Sequence, residues 1–261
     1  MERPVSTGLF DSRRLMKFFS TIKDSILDVA FPQACHVCRG PVESSFYGVA
    51  CKECWNGTQL LDNDAPACSK CGARLHLPNN SEHCPCCLDH YYDRAGSIGI
   101  YEKALSAIVL NLKRLPVIPP VVSERILPTL ERCRLQNFSL IIPVPLSQKR
   151  RIERGFNQAE IIADYVSRLT RKMADHHSLS RKTHTPVHRA AMDRKARETT
   201  VKNAFEVCRP KLIGGKSVLL VDDIFTSGAT ASSCANMLKK SGAATVEVFA
   251  LARAEIRSRY L

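Results

Sequence analysis

The feature that most constrains this chain is the stretch 218–230, in which an apolar run ends in two carboxylates. The apolar residues 218–221 predict a buried strand, and Asp222 and Asp223 follow them directly. A turn rich in Thr, Ser and Gly comes next, and the apolar spacing beyond it predicts a helix. The fold must therefore contain a buried strand that leads through a short polar loop into a helix.

The loop between this strand and helix has the chemistry of a phosphate site. Backbone N–H groups converge at a helix N-terminus and favour an anion there. The carboxylates of Asp222 and Asp223 would repel a bare phosphate, but they suit the hydroxyls of a sugar that carries one, with Mg²⁺ nearby. The stretch therefore predicts a site for a phosphorylated sugar, although an acidic pair can also simply cap the next helix. The predicted phosphate-binding residues are Thr226, Ser227, Gly228, Ala229 and Thr230.

These residues resemble the motif of type I phosphoribosyltransferases that binds phosphoribosyl pyrophosphate (PRPP). In that motif two acidic residues precede a Thr-Thr-Gly-x-Thr loop, and Ser227 is the one conservative departure here. The resemblance implies that Asp222 and Asp223 hold the ribose 2′- and 3′-hydroxyls. It also implies that the loop binds the 5′-phosphate.

A second constraint is the spacing of the cysteines. The chain contains twelve, and eight of them form four C-x-x-C pairs within the segment 34–90. Each pair presents two thiolates to a tetrahedral metal ion, so four pairs predict about two structural Zn²⁺ sites. Sequential pairing is favoured, while a cross-brace, with the first and third pairs on one ion, is the alternative. The pairs are Cys35 with Cys38, Cys51 with Cys54, Cys68 with Cys71, and Cys84 with Cys87.

The chain divides into three regions. Residues 1–33 have apolar positions at helical spacing and predict an amphipathic helix, and residues 34–90 predict a double zinc ribbon. In residues 95–261, strand-like and helical segments alternate, which predicts an α/β domain with a mainly parallel sheet. The polar segment 176–200 is interpreted as a mobile lid over the site. No apolar run has the length of a membrane span and no secretory signal is evident, so a cytoplasmic protein is expected.

The charge is strongly positive and unevenly distributed. The formal net charge is +13, and residues 147–216 carry 17 Lys and Arg against 7 Asp and Glu, a net charge of +10. This excess predicts an anionic partner, either the phosphates of a small substrate or a nucleic-acid backbone. A solvated basic surface is the alternative. The predicted basic loop contains Lys149, Arg150, Arg151 and Arg154.

Residues in and next to this basic region make the resemblance to a known family more specific. The sequence Pro-Val-Pro-Leu at 143–146, followed by Arg150 and by Arg-Gly-Phe-Asn-Gln at 154–158, resembles the ComF competence-protein family. That family joins a Cys-rich zinc module to a type I phosphoribosyltransferase-like domain and is linked to DNA uptake and natural transformation. The resemblance implies that Arg154 and Gly155 contact pyrophosphate. His188 and Thr200 depart from residues common in the family, which leaves the acceptor open.

Two functional hypotheses follow. In the first, the chain is a Mg²⁺-dependent phosphoribosyltransferase of unidentified acceptor. Its catalytic residues are Asp222, Asp223 and Arg154, and Arg150 and Gly155 join the 226–230 loop in binding PRPP. In the second, it is a non-catalytic protein that binds single-stranded DNA and uses the phosphosugar pocket for regulation. Few aromatic residues lie in the basic region, so it offers no evident base-stacking platform.

Overall fold

The computed structural model describes residues 33–61, 67–75, 82–182 and 204–255. The predicted N-terminal helix over 1–33 lies outside this range except for its last residue, and so does most of the predicted lid over 176–200. Both therefore stay predictions. Within the described residues, no helix is both long enough and apolar enough to cross a membrane.

Helices and strands alternate from residue 94 onward, as the sequence predicts. A short helix, α1 (Lys52–Asn56), precedes them in the Cys-rich region. The other helices are α2 (Lys103–Leu112), α3 (Pro120–Arg132), α4 (Gln148–Arg154), α5 (Gln158–Thr170), α6 (Pro210–Ile213) and α7 (Ala229–Lys240). The strands are β1 (Arg94–Ile100), β2 (Leu140–Pro143), β3 (Met173–Ala174), β4 (Leu179–Arg181), β5 (Phe205–Val207), β6 (Ser217–Phe225) and β7 (Thr245–Arg253).

Five strands form one parallel sheet in the order β1-β7-β6-β2-β3. β4 and β5 pair with each other as a separate antiparallel ribbon. Both faces of a parallel sheet must be covered, because helical crossovers bring the chain back to the start of each strand. This requirement explains the continuous apolar run at 218–221, in which every residue is fully buried.

The two faces of the sheet are covered by different parts of the chain. Helices α2, α3 and α5 pack on one face together with the first Cys-rich loop (residues 33–61), through Trp55. Helix α7, strand β5 and the second Cys-rich loop (described residues 67–75 and 82–88) pack on the other face. Side chains alternate between the faces along a strand, so Leu219 and Val221 enter the first layer while Val218 and Leu220 enter the second. The protein is thus a three-layer α/β structure with one Cys-rich loop on each side.

Three local predictions need correction. The acidic pair was expected after the central strand, but β6 continues through Asp222 and Asp223 to Phe225, because β7 supplies backbone partners that far. The basic segment was expected to be a loop, but it forms α4 and ends at Gly155. The start of the predicted lid is ordered, because Arg181 belongs to β4 and pairs with Phe205.

Candidate functional site

The strand order predicts a ligand-binding crevice between β2 and β6. The chain leaves β2 through α5 on one face and continues to β3, whereas it leaves β6 through α7 on the other face and continues to β7. The two connections run in opposite directions, so the strand order reverses between β2 and β6. In open α/β sheets, ligands bind outside the carboxyl ends of the strands at such a switch point. Both predicted site segments, the acidic pair with its loop and the Arg154 turn, emerge there.

The acidic pair lies at the carboxyl end of β6. Asp222 is opposite Ala250 of β7, and the residue before it, Val221, is opposite Pro143 of β2. The carboxylate of Asp222 accepts from the backbone N–H of Asp223 at 2.9 Å, and that of Asp223 accepts from Ile224 at 2.7 Å. These bonds hold both side chains close to the strand backbone.

The electrostatics of the pair suits a ligand that brings positive charge or hydroxyl groups. Burial and the neighbouring charge of Asp223 raise the pKa of Asp222 well above its usual range, and the positive charge of Arg181 on β4 partly opposes them. Burial and the charge of Asp223 also raise the pKa of Tyr101. Two crowded carboxylates with so little compensation favour a ligand that brings positive charge or hydroxyl donors. Asp222 and Asp223 therefore fit the oxygen chemistry of Mg²⁺ and of a sugar diol.

The loop after the pair requires glycine at one position. Gly228 has φ +77° and is the residue that caps the start of α7. A Cβ atom there would lie 2.9 Å from Cζ of Phe225 and 3.0 Å from the ring of His90. Gly228 thus lets the chain turn into α7. The backbone N–H of Ala229, the first residue of this helix, donates to Oγ of Ser227 at 3.4 Å. Thr226 and Ser227 are exposed, Thr230 is half-buried and Ala229 is buried.

The segment after the second Cys-rich loop supports this turn. The ring of His90 packs on Gly228, and the backbone N–H of Tyr91 donates to Oγ of Ser232 on α7 at 3.1 Å. Tyr92 is buried and its ring meets that of Phe225 edge to face, with 5.8 Å between centroids. The N-terminal region therefore forms part of the wall behind the predicted phosphate loop.

The Arg154 turn follows β2 on the other side of the crevice. Gly155 ends α4 with φ +77°, and Asn157 starts α5 with its side chain accepting from Ala159 N. The amide of Asn157 also donates to the carbonyl of Val144 at 3.0 Å, which ties the turn to the end of β2. Arg154 donates to Oε1 of Gln158 at 2.8 Å. Arg150 is half-buried on α4, one turn earlier.

The eight paired cysteines form two clusters, each made from two consecutive pairs. In each cluster the Sγ atoms lie within 4.8 Å of one another, and the measured edges include Cys35 to Cys54 at 3.7 Å and Cys71 to Cys84 at 3.5 Å. A tetrahedron with Zn–S bonds of 2.3 Å has S–S edges of about 3.8 Å. All twelve cysteines of the chain are free thiols. The clusters fit structural zinc, and the geometry selects sequential pairing over the cross-brace.

Sequence reasoning missed several residues that shape the site. Arg253, at the end of β7, is only 2% exposed, and its Nη1 donates to the carbonyl of Cys71 at 2.5 Å. Its guanidinium also lies 5.6 Å from the ring centroid of Phe225. His90 and Ser232 were not singled out either. Each of these residues depends on a contact between distant parts of the chain, and no local pattern signals it.

Comparison with known proteins agrees with this architecture. A family model described as "Double zinc ribbon domain" matches residues 26–88. The "DNA utilization protein YhgH" of Shigella flexneri is 32% identical over 232 residues, which cover 85% of this chain and 97% of that protein. "Competence protein F" of Haemophilus influenzae is 29% identical over 229 residues, with 84% and 96% covered.

A solved structure of glutamine PRPP amidotransferase from B. subtilis, complexed with ADP and GMP, aligns with 56% of this chain and 26% of its own chain. Its identity is 17% and the TM-score is 0.30.

The strand order, the acidic pair at the switch point and the two four-thiol clusters define the class: a double zinc ribbon joined to a three-layer α/β domain with a parallel sheet. The chain belongs to the ComF family of competence proteins, to which these relatives connect it over nearly their whole length.

Proposed function

We propose that the chain binds PRPP with Mg²⁺ in the crevice between β2 and β6 and transfers its phosphoribosyl group to an acceptor. The observation that carries the proposal is the acidic pair Asp222 and Asp223 at the end of β6, followed at once by the left-handed turn at Gly228 and the start of α7. Carboxylates for a sugar diol and N–H groups for a phosphate are there separated by only a few residues.

The chemistry assigns different tasks to the two sides of the crevice. Asp222 and Asp223 would hold the ribose hydroxyls and the associated Mg²⁺, and residues 226–230 would bind the 5′-phosphate. Arg154, with Arg150 one turn away, faces the departing pyrophosphate in this proposal and would stabilise its growing negative charge. Bound Mg²⁺ would supply further charge neutralisation at the leaving group.

Isothermal titration of the zinc-loaded chain with PRPP, with and without Mg²⁺, tests the proposal. We expect Mg²⁺-dependent binding that is lost in Asp222→Asn with Asp223→Asn and weakened in Arg154→Gln. Glu131→Gln, an exposed acidic residue on α3, is the matched control and should bind as the unchanged chain does. Normal PRPP binding by the double variant would refute the site assignment.

A second candidate function is the binding of single-stranded DNA in the cytoplasm, with the pocket used for regulation. It is favoured by the +10 charge of residues 147–216 and by relatives named for DNA utilization and competence. On α4, Lys149 is exposed, while Arg151 is already paired with Glu160 at 2.8 Å. An oligonucleotide titrated at several salt concentrations should show a steep log–log slope, and Lys149→Gln with Arg150→Gln should reduce both slope and affinity. If no oligonucleotide binds at low salt, the positive charge of residues 147–216 serves only the phosphosugar.

A further inference from the structure

A positively charged cavity lies between the second Cys-rich loop and the edge strand β1. Its volume is about 290 Å³, and four arginines line it: Arg74, Arg94, Arg132 and Arg134. None of its described lining residues is an Asp or a Glu, so the wall itself does not neutralise this charge. The cavity shares no lining residue with the acidic pair, the 226–230 loop or the Arg154 turn. It is therefore separate from the proposed phosphosugar site.

Two of the four arginines, Arg132 and Arg94, are held in place by backbone carbonyls. Nη2 of Arg132 donates to the carbonyl of Ser97 at 2.8 Å, and Nη1 of Arg94 donates to the carbonyl of Arg134 at 3.1 Å. A guanidinium has five N–H donors in a fixed fork, so each of these bonds leaves most of the fork available. The positive field reaches the thiol of Cys133 in the same wall: burial raises its pKa, and Arg132, Arg253 and Arg94 oppose that rise.

Two lining residues carry buried polar atoms with no hydrogen-bond partner within the described part of the chain. They are Oγ of Ser97, in a residue that is 2% exposed, and Nε of Arg74. A buried polar atom without a partner is destabilising, and folded proteins rarely contain one. Both atoms are hydrogen-bond donors, so a ligand with acceptor oxygens is the kind of molecule that would pair with them.

We propose that this cavity is a second anion site that binds a phosphomonoester no larger than a mononucleotide. The forked donors of arginine match phosphate oxygens in geometry and charge. Small-molecule sites typically begin at about 300 Å³, so this cavity has room for roughly one nucleotide. A nucleic-acid strand needs an open groove along which its backbone can run. This cavity is instead bordered by the second Cys-rich loop, β1 and the end of α3.

Calorimetric titration of the full zinc-loaded chain with adenosine 5′-monophosphate (AMP) tests the proposal. Ser97→Ala should lower the affinity about tenfold. Because this change removes an unpartnered hydroxyl, the melting temperature of the ligand-free chain should not fall. Arg74→Gln with Arg132→Gln should lower the affinity at least about a hundredfold. Arg114→Gln, an exposed arginine outside the cavity, is the matched control and should leave the affinity unchanged.

Four further measurements discriminate between the outcomes. Asp222→Asn with Asp223→Asn should leave AMP affinity unchanged; if it abolishes binding while the cavity variants do not, AMP occupies the phosphosugar site and the proposal fails. If inorganic phosphate binds as tightly as AMP, the claim that the ligand is a phosphate ester is rejected. If an oligonucleotide binds more tightly than AMP and the same cavity variants weaken it, the claim that the ligand is no larger than a mononucleotide is rejected.

The fourth measurement concerns residues 62–66, which join the lining residues Leu61 and Ala67 and lie outside the described residues. They include Asp62 and Asp64. AMP binding by the variant Asp62→Asn with Asp64→Asn, together with none by the unchanged chain, would mean that the chain's own carboxylates occupy the cavity. That result would overturn the proposal.

Discussion

The two Cys-rich loops have the same C-x-x-C spacing, yet they differ in what surrounds their thiols. In the first loop Cys38 is exposed and Cys54 is half-buried, whereas all four thiols of the second cluster are buried. The first loop is anchored by Trp55, which packs with α2 and α3 on one face of the sheet and donates to the carbonyl of Tyr47. The second cluster lies on the other face, with Arg253 against Cys71.

The neighbours of each loop explain this difference. The first loop packs on the helical layer away from the phosphate loop, for example where Gly48 meets Pro119 and Ile108, and its end bridges to β1 through Leu60 and Gly99. The second loop leads directly into His90 and Tyr91, which contact Gly228 and Ser232. We infer that the first zinc site stabilises one layer of the fold, while the second also holds the candidate site in shape. This contrast can be tested by matched changes on the two sides.

The largest expected effect comes from removing one zinc site at a time. Structural zinc contributes on the order of 10 kcal/mol to folding of its module. Cys68→Ser with Cys71→Ser should lose one zinc ion and lower PRPP affinity more than about a hundredfold, because the wall behind Gly228 is lost. Cys35→Ser with Cys38→Ser should lose one ion and keep PRPP affinity within about threefold. Elemental analysis counts the zinc ions, and calorimetry measures PRPP affinity on variants that still unfold cooperatively. Equal losses of PRPP affinity in the two variants would contradict the proposed difference between the two zinc sites.

A smaller effect is expected at the contact between the second loop and the turn. Gly228→Ala places a methyl group against His90 and Phe225 at a positive φ, so it should cost a few kcal/mol of unfolding free energy and reduce PRPP affinity. Gly215→Ala is the matched control, because Gly215 has φ +70° with nothing within 4 Å of the added atom. It should cost only about 1 kcal/mol and leave the affinity unchanged. Denaturant unfolding and PRPP titration of both variants provide the measurement.

The next prediction concerns Asp222, which lies on the face of the second loop. Its raised pKa means that the folded, ligand-free chain binds a proton more tightly than the unfolded chain does. This group's contribution to stability is therefore full below the unfolded pKa and is lost as pH rises through the folded pKa. Asp222→Asn should therefore raise the unfolding free energy at pH 7, and by more at pH 7 than at pH 5. Unfolding curves at pH 5 and pH 7 test this, and a gain that does not grow with pH would contradict it.

The smallest effect should come from one hydrogen bond. Ser232→Ala removes the acceptor for Tyr91 N–H and should cost about 0.5–1.5 kcal/mol while weakening PRPP binding severalfold. Thr58→Ala is its counterpart near the first loop, because Oγ1 of Thr58 accepts from the backbone N–H of Ala104 at 3.1 Å. That change should cost similar stability with no effect on PRPP affinity. Parallel unfolding and binding measurements compare the two.

Much of this architecture could be predicted from local sequence. The metal clusters follow from spacing within each pair, and the acidic pair follows from an apolar run that ends in two carboxylates. The helix α4 was missed because its charged residues have no apolar periodicity, and Ile152 on it is 77% exposed. The end of β6 was misplaced because Phe225 is held in the strand by its register with Arg253, a residue 28 positions later.

The contacts that distinguish the two Cys-rich loops could not be predicted at all. Tyr91 and Ser232 are 141 positions apart, and Cys71 and Arg253 are 182 apart. Such contacts depend on the order of the strands in the sheet, and residue patterns within a short window do not encode that order. The switch point itself became visible only with the strand order.

The position of β7 has a consequence for the order in which the protein assembles. β1 is made early in the chain and β6 late, yet β7, the last strand that the structure describes, lies between them and pairs with both. During synthesis β1 therefore cannot join the sheet until β7 has been made, and long-range pairing of this kind folds slowly. A chain that stops before β7 would expose the unpaired edges of β1 and β6 and lack the guanidinium at Cys71. Synthesis of β7, rather than zinc loading alone, would then be the step that commits this protein to its native state.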